Sequence, residues 1–418
     1  HGSRTRATWR PYEPQPRPSR YRHPAKRLAG HRDYFVSPFL SRGFRPFFLG
    51  ASIFAVITMA AWLAAYQYGL QLELTGLSAT QWHAHEMVFG FAMAVIAGFL
   101  LTAAWNWTNR ETASGVGLAL LFAAWALARA LLLPGTALLM AAAVADMAFM
   151  LGLLFAVARP IVKVRQKRQA PVLLGLGLLT AANLSFYLGA AGWLPRGAYY
   201  GVNGGLYLVL GMVLFMGARV IPFFTERGVG YEVRLKRQRW NDVATFVLFP
   251  SFVLSELLLP HHFLGALLAA SLFVLNSMRV SGWYTLGIWQ KPLLWGLFAA
   301  FMMINLGFLL RALSPVTAVP DLVALHAYAV GGIGIVTVSM MARVTLGHTG
   351  RSVHQSPPVV ALLLAGMVLS TLIRVFLPLI DPAHYRVWIT ASGLIWIGVF
   401  ALFAVVFIPL LARPRADA

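Results

Sequence analysis

Long blocks of apolar residues, separated by short polar stretches, run along almost the whole chain. The hydrocarbon layer of a bilayer is about 30 Å thick, and about 20 helical residues are needed to cross it. Each block is long enough to do so, which predicts an all-α polytopic membrane protein with twelve transmembrane helices. The blocks lie near residues 44–66, 82–104, 115–133, 136–158, 171–190, 200–222, 241–259, 262–279, 292–312, 323–343, 358–380 and 386–411.

Two polar segments flank this predicted membrane domain of residues 44–411. Residues 1–43 are rich in Arg, Pro and Tyr and have no apolar period, which is typical of a mobile basic arm. Residues 412–418 form the predicted cytosolic tail. The chain is therefore expected to have one structured domain and two short extensions.

The distribution of lysine and arginine over the connections predicts the orientation in the membrane. If the N-terminus is cytosolic, the outer connections hold only Arg196 and Arg386, and Arg129, Arg311 and Arg374 lie within helices. The other basic residues all fall on the cytosolic side. We therefore expect both termini in the cytosol.

Composition supports the same class of protein. Of the 418 residues, 59% are hydrophobic and 11% are charged, whereas about 25% of the residues of soluble domains are charged. A net charge of +21 would suggest nucleic acid in a soluble chain, but the orientation explains the charge without such a partner. The absence of cysteine excludes disulfides and thiolate ligands, so any metal must be held by His, Met or carboxylate.

The segment WHAHEMVFGF, residues 82–91, begins the second predicted helix and places His83, His85 and Glu86 on its first turn. Ionisable residues at a bilayer edge are costly and suggest a function. Imidazole is a common ligand of iron and copper, so we interpret the segment as a haem or metal site. Helix positions two apart differ by about 200°. The two histidines therefore serve two cofactors, or one is a ligand and the other a hydrogen-bond donor.

Further candidate ligands lie on the tenth helix. His326 is near its outer end and can face the second helix at a similar depth. His348 is 22 residues further along, or about 33 Å in an unbroken helix, so it cannot share a metal with His326. At the cytosolic side, His348 is accompanied by Arg219, Arg343 and Arg351, which could bind an anionic group such as haem propionates. A solvated histidine is the alternative there, as a polar helix cap is for His83 and His85.

Two acids have open roles. Glu86 is a candidate catalytic proton donor, and the alternative is a salt bridge to an arginine such as Arg129. Asp146 lies deep in the fourth helix, where a lone carboxylate would be paired or kept neutral, or would lie on a proton path.

Several blocks of the chain resemble the NnrS family of bacterial haem- and copper-containing membrane proteins. The resemblance runs from the first helix to the loop after the tenth. Its blocks are FRPFF at 44–48, WHAHEM at 82–87, AVIAGFLLT at 94–102, NWT at 106–108, RVIPFFT at 219–225, His326 with GGIG at 331–334, and RVTLGHTGR at 343–351.

The resemblance implies a twelve-helix protein of the bacterial inner membrane that takes part in the response to nitric oxide and nitrosative stress, encoded near denitrification genes. It implies haem b and copper as cofactors, and it places the motif histidines at His83, His85, His326 and His348. Membrane lipid and nitric oxide are the implied partners, with quinol as the possible electron donor. The oligomeric state stays open.

Three functions are compatible with these observations. The first is an oxidoreductase that reduces nitric oxide with electrons from quinol. The second is a non-enzymatic haem- or copper-binding protein or sensor that protects metal pools from nitric oxide. The third is a secondary transporter, because many carriers have twelve helices, although Asp146 is the only acid at mid-depth and the two halves show no internal repeat.

Overall fold

The computed structural model describes residues 37–70, 77–132, 138–317 and 319–416. Of the predicted arm at residues 1–43, residues 1–36 lie outside the described residues. Within the described ranges, twelve helices are long and apolar enough to cross a membrane, and no strand is present. The predicted all-α fold with twelve membrane-spanning helices is therefore confirmed.

The helices are numbered here in chain order. They are α1 Phe44–Tyr68, α2 Ala79–Thr108, α3 Gly115–Leu132, α4 Leu139–Lys163, α5 Ala170–Ala190, α6 Gly197–Gly228, α7 Arg239–Leu258, α8 Phe263–Gly282, α9 Pro292–Leu313, α10 Asp321–His348, α11 Pro358–Ile380 and α12 Tyr385–Ala412. The predicted span of α11 matches its bounds, whereas α6 and α10 extend beyond the predicted spans at both ends. Polar residues continue these two helices past the apolar stretch.

The first and last helices meet at one end of the bundle. Arg45 at the start of α1 donates Nη1 to the carbonyls of Leu411 and Arg413, at 2.7 and 2.6 Å, and α1 packs along α12. We call the end where α1 begins the near end and the opposite one the far end. The sequence predicts that the near end is cytosolic.

Helices α2 and α10 each contain one π-helical segment, Glu86–Ala92 and Ala327–Gly334. Hydrogen bonds in a π-helix span five residues, and such turns are frequent at functional sites. Each segment starts directly after a candidate histidine, His85 in α2 and His326 in α10. Both segments pack against α6, so the two irregular helices are held by a common neighbour.

Glycines let neighbouring helices approach these segments closely. A Cβ atom at Gly90 would lie 2.4 Å from the Phe54 ring, and one at Gly332 would lie 2.4 Å from Ile304 Cγ1. The GGIG run of residues 331–334 can serve close helix packing or clearance over a flat ring. The contact between Gly332 and α9 fits the first of these roles.

Candidate functional site

His83 lies at the far end on the first turn of α2. Its ring stacks on Trp62 of α1, with centroids 4.5 Å apart and an interplanar angle of 16°. Nδ1 of His83 is buried and has no hydrogen-bond partner within the described part of the chain. Buried polar atoms usually have a partner, so this nitrogen is a position where a bound metal or cofactor would supply one.

His326 is oriented for ligation by its own helix. Its Nδ1 lies 2.7 Å from the carbonyl oxygen of Leu322, so Nδ1–H donates to that oxygen. Nε2 is then unprotonated. Nη2 of Arg374 lies 3.1 Å from Nε2 and 3.2 Å from Nδ1, and of these two nitrogens only Nε2 can accept a hydrogen bond from it. Metal-binding histidines almost always donate the other ring N–H to a carbonyl, carboxylate or water. His326 has this arrangement, with Nε2 as the candidate ligand atom.

The two imidazoles lie in one neighbourhood. Arg374 of α11 acts electrostatically on both His83 and His326, and His83 acts on His326. Nη1 of Arg374 is also buried without a partner among the described residues. Two imidazoles and a guanidinium with an unused donor fit a haem or copper centre that carries an anionic group. No three His, Asp or Glu side chains form a metal site in the described ranges, so two imidazoles would be the protein's contribution.

His85 faces away from this pair, into a buried polar network. Its Nδ1 lies 2.8 Å from Oε1 of Glu86, and its Nε2 lies 2.9 Å from Oδ1 of Asn183. Asn183 donates its own Nδ2 to Asp146, which fixes Oδ1 as the atom facing the imidazole. Both ring nitrogens therefore face hydrogen-bond partners. Of the two alternatives for this histidine, the hydrogen-bonding role fits, and neither nitrogen is free for a metal.

Arg129 closes the same network. Its guanidinium binds Glu86 at 2.8 Å and also pairs with Asp146. Tyr187 donates its hydroxyl to Asp146 at 3.0 Å. Two carboxylates thus face one guanidinium and the His85 imidazole in a region where all these side chains are buried. The predicted Glu86–Arg129 salt bridge is present, while the catalytic role of Glu86 stays a prediction.

The remaining part of this network was not anticipated from the sequence. Asn183 and Tyr187 lie four residues apart on α5, so they share one face of that helix. Polar side chains at this spacing in an otherwise apolar helix were the available signal. Their shared face would have identified α5 as the helix that packs beside Asp146.

The arginines within helices have different environments. Arg311 of α9 binds Glu256 of α7, with Nε 3.0 Å from Oε1, and Arg129 is held in the network above. Arg374 lies beside His326. Of the three arginines within helices, it is the one whose location suits an anionic group of a cofactor bound there.

At the near end, His348 lies beside residues other than the three arginines predicted to accompany it. Its ring centroid is 5.7 Å from that of Phe44, and Arg42 and Arg415 are the charges that act on it. Burial, and then the charge of Arg415, lowers the pKa of Arg42, whose guanidinium lies 3.4 Å above the Trp105 ring.

The other members of that predicted group face different elements. Arg219 Nη1 lies 3.4 Å from Gln169 Oε1, just before α5, and Arg343 packs over Phe224 of α6 at 3.9 Å. Arg351 donates to the carbonyl of Thr349 at 3.2 Å. The continuous α10 keeps His348 and His326 at opposite ends, as predicted. A cofactor role for His348, Arg219, Arg343 and Arg351 stays a prediction.

Comparison with known proteins agrees with the motifs. The model of the family described as NnrS protein matches residues 38–415, which is nearly the whole chain. No curated protein sequence matches the chain. The chain therefore belongs to the NnrS family, which is associated with haem and copper, and this membership suggests a role in the response to nitric oxide.

Proposed function

We propose that the chain is a haem- and copper-dependent oxidoreductase that reduces nitric oxide with electrons from quinol. The observation that carries this proposal is the location of His83 and His326 at the far end of the bundle, where Arg374 acts electrostatically on both. Nδ1 of His83 is buried without a hydrogen-bond partner among the described residues. His326 donates Nδ1–H to the Leu322 carbonyl, so a metal would replace Arg374 at Nε2. Family membership supplies the chemical context.

The reaction sets the demands on the site. Two nitric oxide molecules, two electrons and two protons give nitrous oxide and one water, and a quinol supplies both electrons on oxidation to quinone. A haem or copper bound by His83 and His326 would supply the one-electron chemistry. If both histidines held one haem, its iron would have no position left for nitric oxide, whereas with only one of them a position would stay open.

The protein's own groups have three roles in this proposal. His83 and His326 bind the cofactor, with Leu322 orienting the second ring. Arg374 neutralises an anionic group beside it. Glu86 is at the start of the π-segment and faces Arg129 and His85, and we propose that it relays protons toward the cofactor.

Cofactor loading of purified variants tests the site. His83→Ala and His326→Ala should each lose most of the haem absorbance of the reduced protein. The matched control is His384→Ala, because His384 is exposed at the far end and binds Asp381. If both site variants keep the haem and copper content of the control, the site assignment is wrong.

Turnover is tested separately on the loaded protein. With a quinol donor, the wild-type protein should consume nitric oxide and produce nitrous oxide, and Glu86→Gln should slow this at unchanged haem content. A protein that keeps its cofactor but turns over with no donor would be the non-enzymatic binder or sensor instead. The optical spectrum of the reduced protein, recorded with and without nitric oxide, shows whether nitric oxide can bind the haem iron.

A further inference from the structure

A basic pocket lies at the near end, between α6, α9 and α10. Its volume is about 180 Å³, which exceeds the share of several water molecules at about 30 Å³ each. Arg227, Lys291 and Arg343 line it, and no carboxylate does so within the described residues. Phe223 and Phe224 also line it. The pocket thus has the size and charge to take an anion such as a phosphate group.

The three cations are held by weak contacts that leave donors unused. Arg227 and Arg343 lie over the Phe223 and Phe224 rings at 4.2 and 3.9 Å. Nε of Arg343 is buried without a hydrogen-bond partner in the part of the chain that the structure describes. Lys291 donates to the carbonyl of His354 at 3.3 Å. A phosphate would satisfy donors that the protein leaves open.

The carboxylate of Glu226 is bound by residues outside the pocket. Glu226 is the residue before Arg227, but its carboxylate accepts from Arg237 at 2.6 Å and from the backbone of Leu235 at 3.2 Å. Its charge is therefore compensated by the loop after α6. The positive charge of the pocket has no counterpart in its lining.

An apolar groove lies about one helical turn from this pocket, toward the middle of the bundle. On α6, Ile221 of the groove lies three residues before Phe224 of the pocket, and on α10, Met340 lies three residues before Arg343. On α9, Leu297 of the groove lies three residues after Leu294 of the pocket. These steps all point toward the middle, because α9 runs opposite to α6 and α10. Along α6 the groove reaches from Ile221 back to Val209. At ~1.5 Å per residue this is about 18 Å, close to half of the ~30 Å hydrocarbon layer.

We propose that the pocket and the groove together bind one anionic phospholipid, with its phosphate on Arg227, Lys291 and Arg343 and an acyl chain in the groove. A basic pocket next to an apolar groove of about one leaflet's depth matches an amphiphile with a negative head group. Basic pockets between helices on the cytosolic side commonly bind anionic headgroups, and the positive-inside distribution predicts this side for the near end. This site is separate from His83 and His326, which lie at the far end.

Native mass spectrometry of the delipidated full chain tests the headgroup. It is titrated with phosphatidylglycerol and with phosphatidylcholine of the same chains, and one phosphatidylglycerol should bind at least about tenfold more tightly. Arg343→Gln and Lys291→Gln should each weaken that binding about tenfold, as expected for loss of a charged hydrogen bond. Arg234→Gln is the matched control, because Arg234 is exposed in the loop after α6 and does not line the pocket. Equal affinity for the two lipids, or equal effects of Arg343→Gln and Arg234→Gln, would overturn the proposal.

A second variant tests the groove without changing charge. Val213→Phe places a ring among the groove residues and should also weaken phosphatidylglycerol binding, whereas Val144→Phe on the exposed surface of α4 should not. If inorganic phosphate displaces the lipid and Val213→Phe has no effect, the pocket is a free-anion site and the lipid assignment is wrong. Displacement by a short-chain ubiquinol would identify a quinol site instead. If Arg343→Gln lowers haem content with lipid binding intact, the arginine serves the cofactor and the proposal fails.

Discussion

At the level of single residues, the histidine positions could be predicted but their partners could not. The spacing of His83 and His85 placed them on different faces of one helix, and the structure directs one to Trp62 and the other to Asn183. His85 has no free Nε2 because that nitrogen faces Asn183, which is 98 positions away in the chain. Such contacts follow from packing and leave no trace in local spacing.

The buried charges of the His85 network predict a strong dependence of stability on Arg129. Arg129→Gln would leave Glu86 and Asp146 facing each other's charge without the guanidinium between them. Removing one partner of a buried ion pair typically costs about 3 to 5 kcal/mol. We therefore expect a loss of that size in the free energy of unfolding in detergent micelles.

A surface pair provides the control for this measurement. Glu226→Gln breaks a bridge in which the Arg237 side chain is 50% exposed, and exposed pairs contribute at most about 1 kcal/mol. Adding Glu86→Gln to Arg129→Gln should recover part of the lost stability. If Arg129→Gln and Glu226→Gln have equal effects, the network is not the buried charge cluster described here.

At the level of elements, hydropathy predicted all twelve helices, because the bilayer requires long apolar stretches whatever their order. It did not predict the π-helical segments. The residues of Glu86–Ala92 and Ala327–Gly334 have the same apolar character as their α-helical surroundings. The extra residue in these turns is set by contacts with α6 and by glycines that admit neighbouring helices, which a hydropathy pattern does not contain.

The π-segment of α2 can be tested by shortening it. Deleting Met87 should convert the segment to regular α-helix and rotate the histidine-bearing end by about 100° relative to Met93–Thr108. His83 would then leave its position beside Arg374, and haem content should fall to the level of His83→Ala. Deletion of Glu232, exposed in the loop after α6, is the control and should keep the cofactor. Retained haem after deletion of Met87 would show that the segment does not position His83.

At the level of the whole molecule, the fold brings both chain ends of the membrane domain to one side, through Arg45 and the last turn of α12. The sequence predicted this from the distribution of lysine and arginine over the connections. The fold also separates two chemical regions, His83 and His326 with Arg374 at the far end and a basic pocket at the near end. The cofactor role predicted for Arg343 beside His348 stays a prediction. Its place in the pocket between α6, α9 and α10 could not be predicted, because it depends on helix packing.

The predicted orientation can be tested with single cysteines, because the chain has none of its own. Gln355→Cys lies in the exposed loop after α10 at the near end, and Ala383→Cys lies in the exposed turn before α12 at the far end. If the near end is cytosolic, a membrane-impermeant maleimide should label Ala383→Cys in intact spheroplasts, and Gln355→Cys only after lysis. The reverse pattern would place the imidazole pair on the cytosolic side. It would also move the basic pocket away from the leaflet surface whose anionic lipids it is proposed to bind, so this one measurement fixes the side of both sites.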